Sequence, residues 1–287
     1  MKMRPAITVI GSGAVGSAWI DYFRKAGFPI ASVWNSSSGV VYGSDSEHQD
    51  ERNHSLPAGE SDIGDLILIT TPDSIIRSVA ENLSTSDIDW SDKRVVHCSG
   101  SHPASVLLPL SQKGAATASM HPIQTFKKSD DSGRLKNIYI SLQGDGSFVQ
   151  QLKGIVEDLN SNPLILDEHQ KKAVHISAVF ASNYLVALLN TSDVILKENG
   201  VEEGVNILEP LIRQTLKNIL ERGTEFSLTG PISRGDTTTV QDHLENLAAD
   251  EEKENLYKAL GRVCLGIVKR QDSLTEEQLS ELQRILE

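Results

Sequence analysis

The chain has 287 residues, which at roughly 150 residues per domain suggests about two domains, and its formal net charge is −12. A surface this acidic repels a phosphate backbone, and lysine and arginine lie side by side only in short pairs, so we exclude nucleic acid as a partner. With 39% hydrophobic and 23% charged residues, the composition is typical of a soluble globular protein and not of a fibrous or disordered one.

Cysteine content and hydropathy exclude further classes. Cys98 and Cys264 are too few for a disulfide framework, and no spacing of potential ligands predicts a metal site. The longest uncharged run, residues 173–192, has the length of a membrane span, but it contains His175 and two asparagines, which are costly in lipid. We therefore interpret it as a helix inside a soluble protein. No cleavable apolar segment is seen at the start of the sequence, and we expect a cytoplasmic protein without a membrane partner.

Short apolar runs alternate with helical stretches through the first half of the sequence. The predicted strands are Ala6–Ile10, Ile30–Trp34, Asp65–Thr70, Arg94–His97, Ala115–Met120, Asn137–Leu142 and Pro163–Leu166. Between most of them, apolar residues recur at the spacing of one helix face, whereas residues 35–59 are polar and show no period. Because strands that alternate with helices pair through right-handed crossovers, the sequence predicts an α/β domain with a parallel sheet.

The pattern changes near residue 167, where long helical stretches begin to dominate. The predicted helices are Gln170–Glu198, Glu203–Arg222, Val240–Ala248, Glu251–Arg270 and Glu276–Leu286. We therefore predict two domains: a dinucleotide-binding α/β domain over residues 1–167 and an all-α domain over residues 168–287.

A glycine motif follows the first predicted strand and opens the first predicted helix. Gly11, Gly13 and Gly16 have the spacing in which the first glycine permits a tight turn, the second lets a pyrophosphate approach, and the third lets the helix pack on the strand. Free backbone N–H groups at the helix start then form an anion site without basic side chains. The residues predicted to bind the cofactor here are Gly11, Ser12, Gly13, Ala14, Val15 and Gly16.

The end of the second strand indicates which cofactor is bound. Asn35, Ser36 and Ser37 stand where an Asp or Glu would hold the ribose hydroxyls of NAD, so we predict contacts from these three residues and prefer NADP, with NAD as the alternative. Thr71 and Pro72 follow the third strand and are predicted to lie along the cofactor, although Pro72 is also a good helix start.

Two histidines lie at the ends of neighbouring predicted strands. His97 continues an apolar strand, which favours a structural role, and Cys98 beside it is interpreted as a small buried residue. His121 precedes a proline that breaks its strand, so a structural role and a proton-transfer role remain open. Ser99 or Ser101 could orient it or hydrogen-bond the substrate.

Polar residues also interrupt the helical half. His175 and Asn183 lie in an otherwise apolar helix and either face the substrate or form core hydrogen bonds. Arg234 lies in a glycine- and proline-rich loop, where it either binds a substrate carboxylate or pairs with Asp236.

Four segments, HCSGS, SMHPIQTF, HISAVFASNYLVALL and LTGPISRGDTTTVQDHL, together resemble a family of Rossmann-like proteins that carry a DUF2520 domain. Members of this family are described as NADP- or F420-dependent oxidoreductases. The resemblance implies a Rossmann-type domain followed by a helical domain like that of 6-phosphogluconate dehydrogenase, through which we expect a homodimer. Ser36 departs from the arginine found in many members. The Ser99 loop and the His121-Pro122 pair are also similar to those of prephenate dehydrogenases, which implies His121 as acid/base and Ser99 as its neighbour.

The leading hypothesis is an NADP-dependent oxidoreductase that moves hydride between nicotinamide and a carbonyl or imine carbon of a small carboxylate-bearing metabolite. In it, His121 is the proton donor, Ser99 its partner, and Asn183 and Arg234 orient the substrate. The alternatives are a non-catalytic NADP-binding protein and an F420-linked NADP oxidoreductase.

Overall fold

A seven-stranded sheet organises the first half of the chain. The computed structural model describes residues 4–35, 56–127 and 132–287. The strands are β1 (Ile7–Ile10), β2 (Ile30–Trp34), β3 (Leu66–Ile69), β4 (Arg94–His97), β5 (Ala116–Pro122), β6 (Tyr139–Gly144) and β7 (Asn162–Ile165). Their order across the sheet is β2-β1-β3-β4-β5-β6-β7. This is the predicted Rossmann-type arrangement, in which the first strand lies inside the sheet.

Helices cover both faces of this sheet. They are α1 (Ala14–Lys25), α2 (Ile76–Leu83), α3 (Leu108–Ser111) and α4 (Gly146–Asp158). One apolar core contains Trp19 of α1 and Phe148 of α4, and a second contains Ile76 and Leu83 of α2. Every residue of β1 and β3 is buried, which explains why these strands are apolar throughout and do not alternate with polar residues.

One strand pair departs from the predicted parallel sheet. β5 and β6 run antiparallel, with His121 opposite Ser141, whereas the other neighbouring strands are parallel. A parallel return requires a crossover of a dozen or more residues, usually a helix. In the described part of the connection the regular element is one 3₁₀ turn, Ser132–Leu135, so the chain turns back beside β5.

The helical part begins at Glu168, one residue after the predicted boundary. Its helices are α5 (Glu168–Val179), α6 (Leu185–Glu198), α7 (Glu209–Arg222), α8 (Pro231–Arg234), α9 (Thr237–Leu247), α10 (Glu251–Gln271) and α11 (Glu276–Leu286). A π-helical turn, Phe180–Tyr184, separates α5 from α6 within the stretch predicted as one helix. The compact units are Met1–Asn183 and Tyr184–Glu287, so α5 packs with the sheet.

Among the described residues, one helical stretch, Glu168–Glu198, is long and apolar enough to cross a membrane by length and composition. No residue of its most apolar window is buried within the structure. Length and composition are weak evidence alone, because a helix that packs inside a soluble protein meets the same criteria.

Candidate active site

The glycine motif occupies the turn from β1 into α1, and its three glycines have three different surroundings. Gly11 has a φ of +104°, which favours glycine, and a Cβ there would lie 2.9 Å from the Thr70 carbonyl carbon. A Cβ on Gly16 would lie 1.9 Å from the Gly11 carbonyl oxygen, so this position serves helix packing. A Cβ on Gly13 would meet no atom within 4 Å, so the backbone there is open to a ligand. These are the roles that the spacing predicts.

The start of α1 has the features expected of an anion site. The Gly13 N-cap has no side chain to cap the helix, and the first turn holds no acidic residue. Ser17 N donates to Gly13 O at 2.9 Å, and the N–H groups of Ala14, Val15 and Gly16 precede that bond. Unused N–H groups at a helix start are suited to phosphate, so these residues fit the pyrophosphate of a dinucleotide.

Two neighbouring loops border this turn. Asn35 Nδ2 donates to Ser12 Oγ at 2.8 Å, which brings the end of β2 against the glycine motif. Thr71 follows β3, and its buried hydroxyl has no hydrogen-bond partner among the described residues. A buried unpaired hydroxyl is costly, so Thr71 fits a contact to a bound molecule. Pro72 is exposed at the start of the next helical turn, and the predicted contacts Ser36 and Ser37 lie outside the described residues.

Asp73, an acidic residue that was not among the predicted site residues, joins two of these loops. Asp73 Oδ2 accepts hydrogen bonds from Ser99 Oγ at 2.7 Å and from Ser101 Oγ at 2.8 Å. Burial raises the pKa of Asp73, but these bonds and the nearby His102 and His97 outweigh it, so the pKa is below 3.8. Asp73 is therefore a carboxylate that fixes the loop after β4 against the loop after β3.

These bonds show what the Ser99 hydroxyl contacts, and its predicted role as the neighbour of His121 stays a prediction. Its hydroxyl donates to Asp73 and accepts from the N–H groups of Ser101 and His102, and no bond to His121 is formed in the described part of the chain. The Ser99 side chain is therefore committed to shaping its own loop.

His97 and Cys98 have the structural surroundings that the sequence favours. His97 is fully buried; one ring nitrogen lies 3.2 Å from Pro103 O and the other accepts from Ser99 N. Burial lowers the pKa of His97 to about 3, so its ring is neutral and supports the loop. Burial also raises the pKa of Cys98 to about 12, which keeps it a protonated, unreactive thiol.

His121 and His175 meet above Gly100. Their ring centroids are 6.2 Å apart, and a Cβ on Gly100 would lie 2.8 Å from His121 Nε2 and 2.5 Å from His175 Nδ1. Only a residue without a side chain allows both rings to approach this backbone. Three elements, β4, β5 and α5, thus bring two imidazoles together.

The surroundings of His121 determine the charge of its ring. Burial, then Lys171, then His175 lower the pKa of His121 to about 4. At neutral pH the ring is uncharged and can hydrogen-bond to a substrate, but it carries no acidic proton to transfer. The surroundings therefore favour a neutral ring at His121, and its role as the proton donor stays a prediction.

Lys171 lies beneath the same loop and was not among the predicted site residues. Its side chain is 2% exposed, and Nζ donates to Ser99 O and to Ser119 Oγ, both at 2.7 Å. The sequence signal was the Lys171-Lys172 pair at the start of a helix, which by itself does not show which lysine is buried.

The two predicted substrate-orienting residues lie in different compact units. Asn183 is exposed in the π-helical turn, where its Oδ1 accepts from Ser182 Oγ at 2.8 Å. Arg234 ends α8 in the second unit, and Asp236 beyond it accepts from Thr239 to cap α9. Their roles toward a substrate stay predictions. Among the described residues, no group of three or more potential ligands is placed to hold a metal ion.

Comparison with known proteins finds one family model in each half of the chain. Residues 1–122 match the family model of the Rossmann-like domain, and residues 138–264 match that of the domain of unknown function DUF2520. None of the curated proteins matches the sequence.

Solved structures share the whole fold at low sequence identity. A Bacteroides fragilis protein assigned by name to the NADP oxidoreductases is 21% identical, with a TM-score of 0.72 over 91% of this chain and 98% of that one. The Myxococcus stipitatus imine reductase in complex with NADP⁺ is 16% identical, with a TM-score of 0.56 over 99% of this chain and 100% of that one. The Plasmodium falciparum pyrroline carboxylate reductase with NADP bound is 12% identical, with a TM-score of 0.54 and 99% of each chain covered.

At these identities the likeness shows a common fold and leaves the reaction to be argued from the site. The chain therefore matches the models of a Rossmann-like domain and of DUF2520 in that order, and it has the same fold as solved structures of proteins named as NADP oxidoreductases or bound to NADP⁺.

Proposed function

We propose that the protein is an NADP-dependent oxidoreductase that reduces or oxidises a carbonyl or imine carbon in a small, carboxylate-bearing metabolite. The observation that carries the proposal is the position of two imidazoles, His121 and His175, on the same sheet edge as the glycine motif. Carboxyl ends of parallel strands are where ligands bind in open α/β sheets, and here β1, β3 and β4 all end at this edge.

The residues around Gly13 fit a dinucleotide, because the open backbone and the start of α1 can receive a pyrophosphate. A bound nicotinamide supplies or accepts the hydride. NADP is preferred because Asn35, and not a carboxylate, follows β2 and bonds to Ser12, so the side chain at this position has no negative charge to oppose a 2′-phosphate.

The chain's own residues position the substrate. As a neutral ring, His121 can hydrogen-bond to the oxygen or nitrogen of the reacting double bond, and His175 lies beside it. Asn183 and Arg234 are proposed to orient the remainder of the substrate, and the guanidinium of Arg234 suits a carboxylate.

His121→Ala tests the proposed site. We expect this variant to bind NADPH like the wild type and to lose about 100-fold or more in turnover, because one preorganised hydrogen bond to the reacting group is gone. The measurements are NADPH and NADH affinities by calorimetry, and oxidation of either cofactor in the presence of a panel of 2-oxo acids, ketones and cyclic imines.

His169→Ala is the matched control, since His169 is exposed at the start of α5. Equal turnover in His121→Ala and the wild type would remove His121 from the site. Tight NADPH binding without oxidation by any compound would favour the non-catalytic alternative, and equal affinities for NADPH and NADH would contradict the preference for NADP.

A homodimer is part of the same proposal. Helices α6 and α7, all of whose residues are described, contain no buried side chain. The apolar core of the second unit is formed by later segments, while Leu211, Leu220 and Phe226 are 63%, 86% and 75% exposed. Large apolar side chains exposed on a helix are typical of an interface, and helices of this length need packing to be stable. A second copy of this chain, with the same uncovered helices, is the proposed occupant.

Leu220→Glu tests this interface. We expect the wild type to have the mass of a dimer by light scattering, and the variant to have the mass of a monomer because the new carboxylate would be buried without a partner. Gln214→Glu adds the same charge elsewhere on α7 and should remain dimeric. A wild type that is monomeric in buffer, or that co-sediments with lipid vesicles, would overturn the dimer.

A further inference from the structure

Lys171 carries a buried charge that has no ion-pair partner among the described residues. Its ammonium is bonded to the carbonyl of Ser99 and the hydroxyl of Ser119, and no carboxylate of the described residues lies within 4.0 Å of it. The next residue, Lys172, is exposed and pairs with Glu168 at 2.7 Å. Two adjacent lysines at a helix start thus have opposite surroundings.

A purely structural role explains this burial poorly. Burying an ammonium removes strongly bound water, and an apolar side chain of similar volume is often no less stable in such a place. Buried charges of this kind cluster at functional sites. Lys171 donates to the carbonyl of Ser99, the residue before Gly100, and the rings of His121 and His175 meet above Gly100.

We propose that Lys171 sets the charge of this site and thereby its substrate class, so that the reducible group is a carbonyl and not an iminium. Hydride addition to a carbonyl carbon moves the electron pair of the C=O bond onto oxygen, and one proton from water completes the alcohol. Hydride addition to an iminium cancels a positive charge on nitrogen and needs no proton. A fixed ammonium stabilises the negative charge that develops on the carbonyl oxygen, and it repels the positive charge of an iminium. The inference rests on the proposed oxidoreductase function.

Among the described residues, the other charged or titratable groups around Lys171 and His121 include one negative charge, Asp73, which equals the ammonium in formal charge but has a smaller effect than Lys171 at His121. They are Asp73, His97, Cys98, His102 and His175. The Asp73 carboxylate is bonded to two serine hydroxyls in its own loop. At His121, Lys171 and His175 both disfavour the imidazolium and only Asp73 favours it, so the positive field of Lys171 reaches the ring. Lys171 affects the reaction through its charge near His121 and is a positioning residue.

The ammonium is available in the neutral range. Burial lowers the pKa of Lys171 to about 8, against the opposing effects of Cys98 and Asp73. The charge is therefore present below about pH 8 and is lost as the pH rises through that value. Carbonyl reduction by the wild type should decline over the same interval, and this decline should be absent once the Lys171 charge is removed.

The test uses Lys171→Gln, which keeps a hydrogen-bond donor and removes the charge, with Lys171→Met as a second variant in case glutamine does not fold. Lys172→Gln is the matched control. The first measurement does not depend on activity. The histidine rings are titrated by NMR, and the signal of His121 is assigned as the one that is missing from the spectrum of His121→Asn. The second is the ratio of kcat/KM for 2-oxobutanoate to that for 1-pyrroline, measured with NADPH from pH 6 to pH 9.

We expect the midpoint of His121 to rise by about one pH unit when the Lys171 charge is removed and to stay unchanged in Lys172→Gln. The carbonyl-to-imine ratio should fall at least about tenfold in Lys171→Gln and lose its decline above pH 8. An unchanged His121 midpoint in both Lys171 variants overturns the proposal, as does a wild type that prefers 1-pyrroline. If the wild type reduces neither compound type, the proposed function fails, and the titration still decides whether Lys171 sets the charge.

Discussion

Replacing Gly16 with alanine will destabilise the fold, whereas replacing Gly13 with alanine will leave the fold intact and weaken the cofactor site. At Gly16 the added methyl would lie 1.9 Å from the Gly11 carbonyl oxygen and 2.6 Å from Thr70 Oγ1. The first is backbone and cannot rotate away, so α1 must shift from the sheet. Overpacking of this kind costs about 1–3 kcal/mol, which lowers the melting temperature by several degrees.

At Gly13 the same methyl meets no protein atom within 4 Å, and the φ of −68° suits any L-residue. The methyl would occupy the opening through which a pyrophosphate reaches the backbone. We expect an unchanged melting temperature and an NADPH affinity that is about tenfold lower or worse, since the phosphate contacts are spoiled.

Gly154→Ala is the control for both variants, because its methyl also meets no atom within 4 Å and lies in the interior of α4, where alanine is the better helix former. Thermal unfolding and calorimetric titration with NADPH measure the two effects separately. A Gly13→Ala protein that binds NADPH like the wild type would contradict the proposed phosphate site.

Gly100→Ala will abolish turnover without unfolding the protein. The added methyl would overlap the imidazole nitrogens of His175 and His121, at 2.5 and 2.8 Å, so both rings must rotate away. A side-chain ring can rotate away from the added methyl whereas backbone cannot, so the loss in free energy of unfolding should be small. A displacement of about 1 Å in a catalytic group can cost about 100-fold in rate, and here two groups move together.

The measurements are turnover of the best compound from the metabolite panel, NADPH affinity and the melting temperature. NADPH affinity should be unchanged, because the glycine motif lies at the end of a different strand. Ser105→Ala, in the 3₁₀ turn that follows the same loop, is the control. Full activity in Gly100→Ala would mean that the paired imidazoles do not take part in the reaction.

The sequence predicts most of the fold because the sheet depends on local patterns. Buried strands such as β3 are apolar throughout, helices repeat their apolar face, and both patterns are read without knowing distant contacts. The antiparallel pairing of β5 with β6 was missed, because strand direction depends on what connects the strands and not on the residues inside them.

The candidate site was predicted only where its chemistry lies within one segment. The glycine motif spans six residues and fits its predicted roles at Gly11, Gly13 and Gly16. Asp73 looks like an ordinary helix start until its bonds to Ser99 and Ser101, 26 and 28 residues away, are known.

The sequence by itself determined the order of strands and helices, the glycine turn between β1 and α1 and the presence of histidines at strand ends, because each follows from short-range spacing. The tertiary structure decided which groups meet and in what charge state. Lys171 and Lys172 are neighbours, yet a rotation of about 100° per helical residue turns one toward Ser99 and leaves the other in water. Burial then lowers the pKa of His121 to about 4, a consequence of packing that no local pattern reveals.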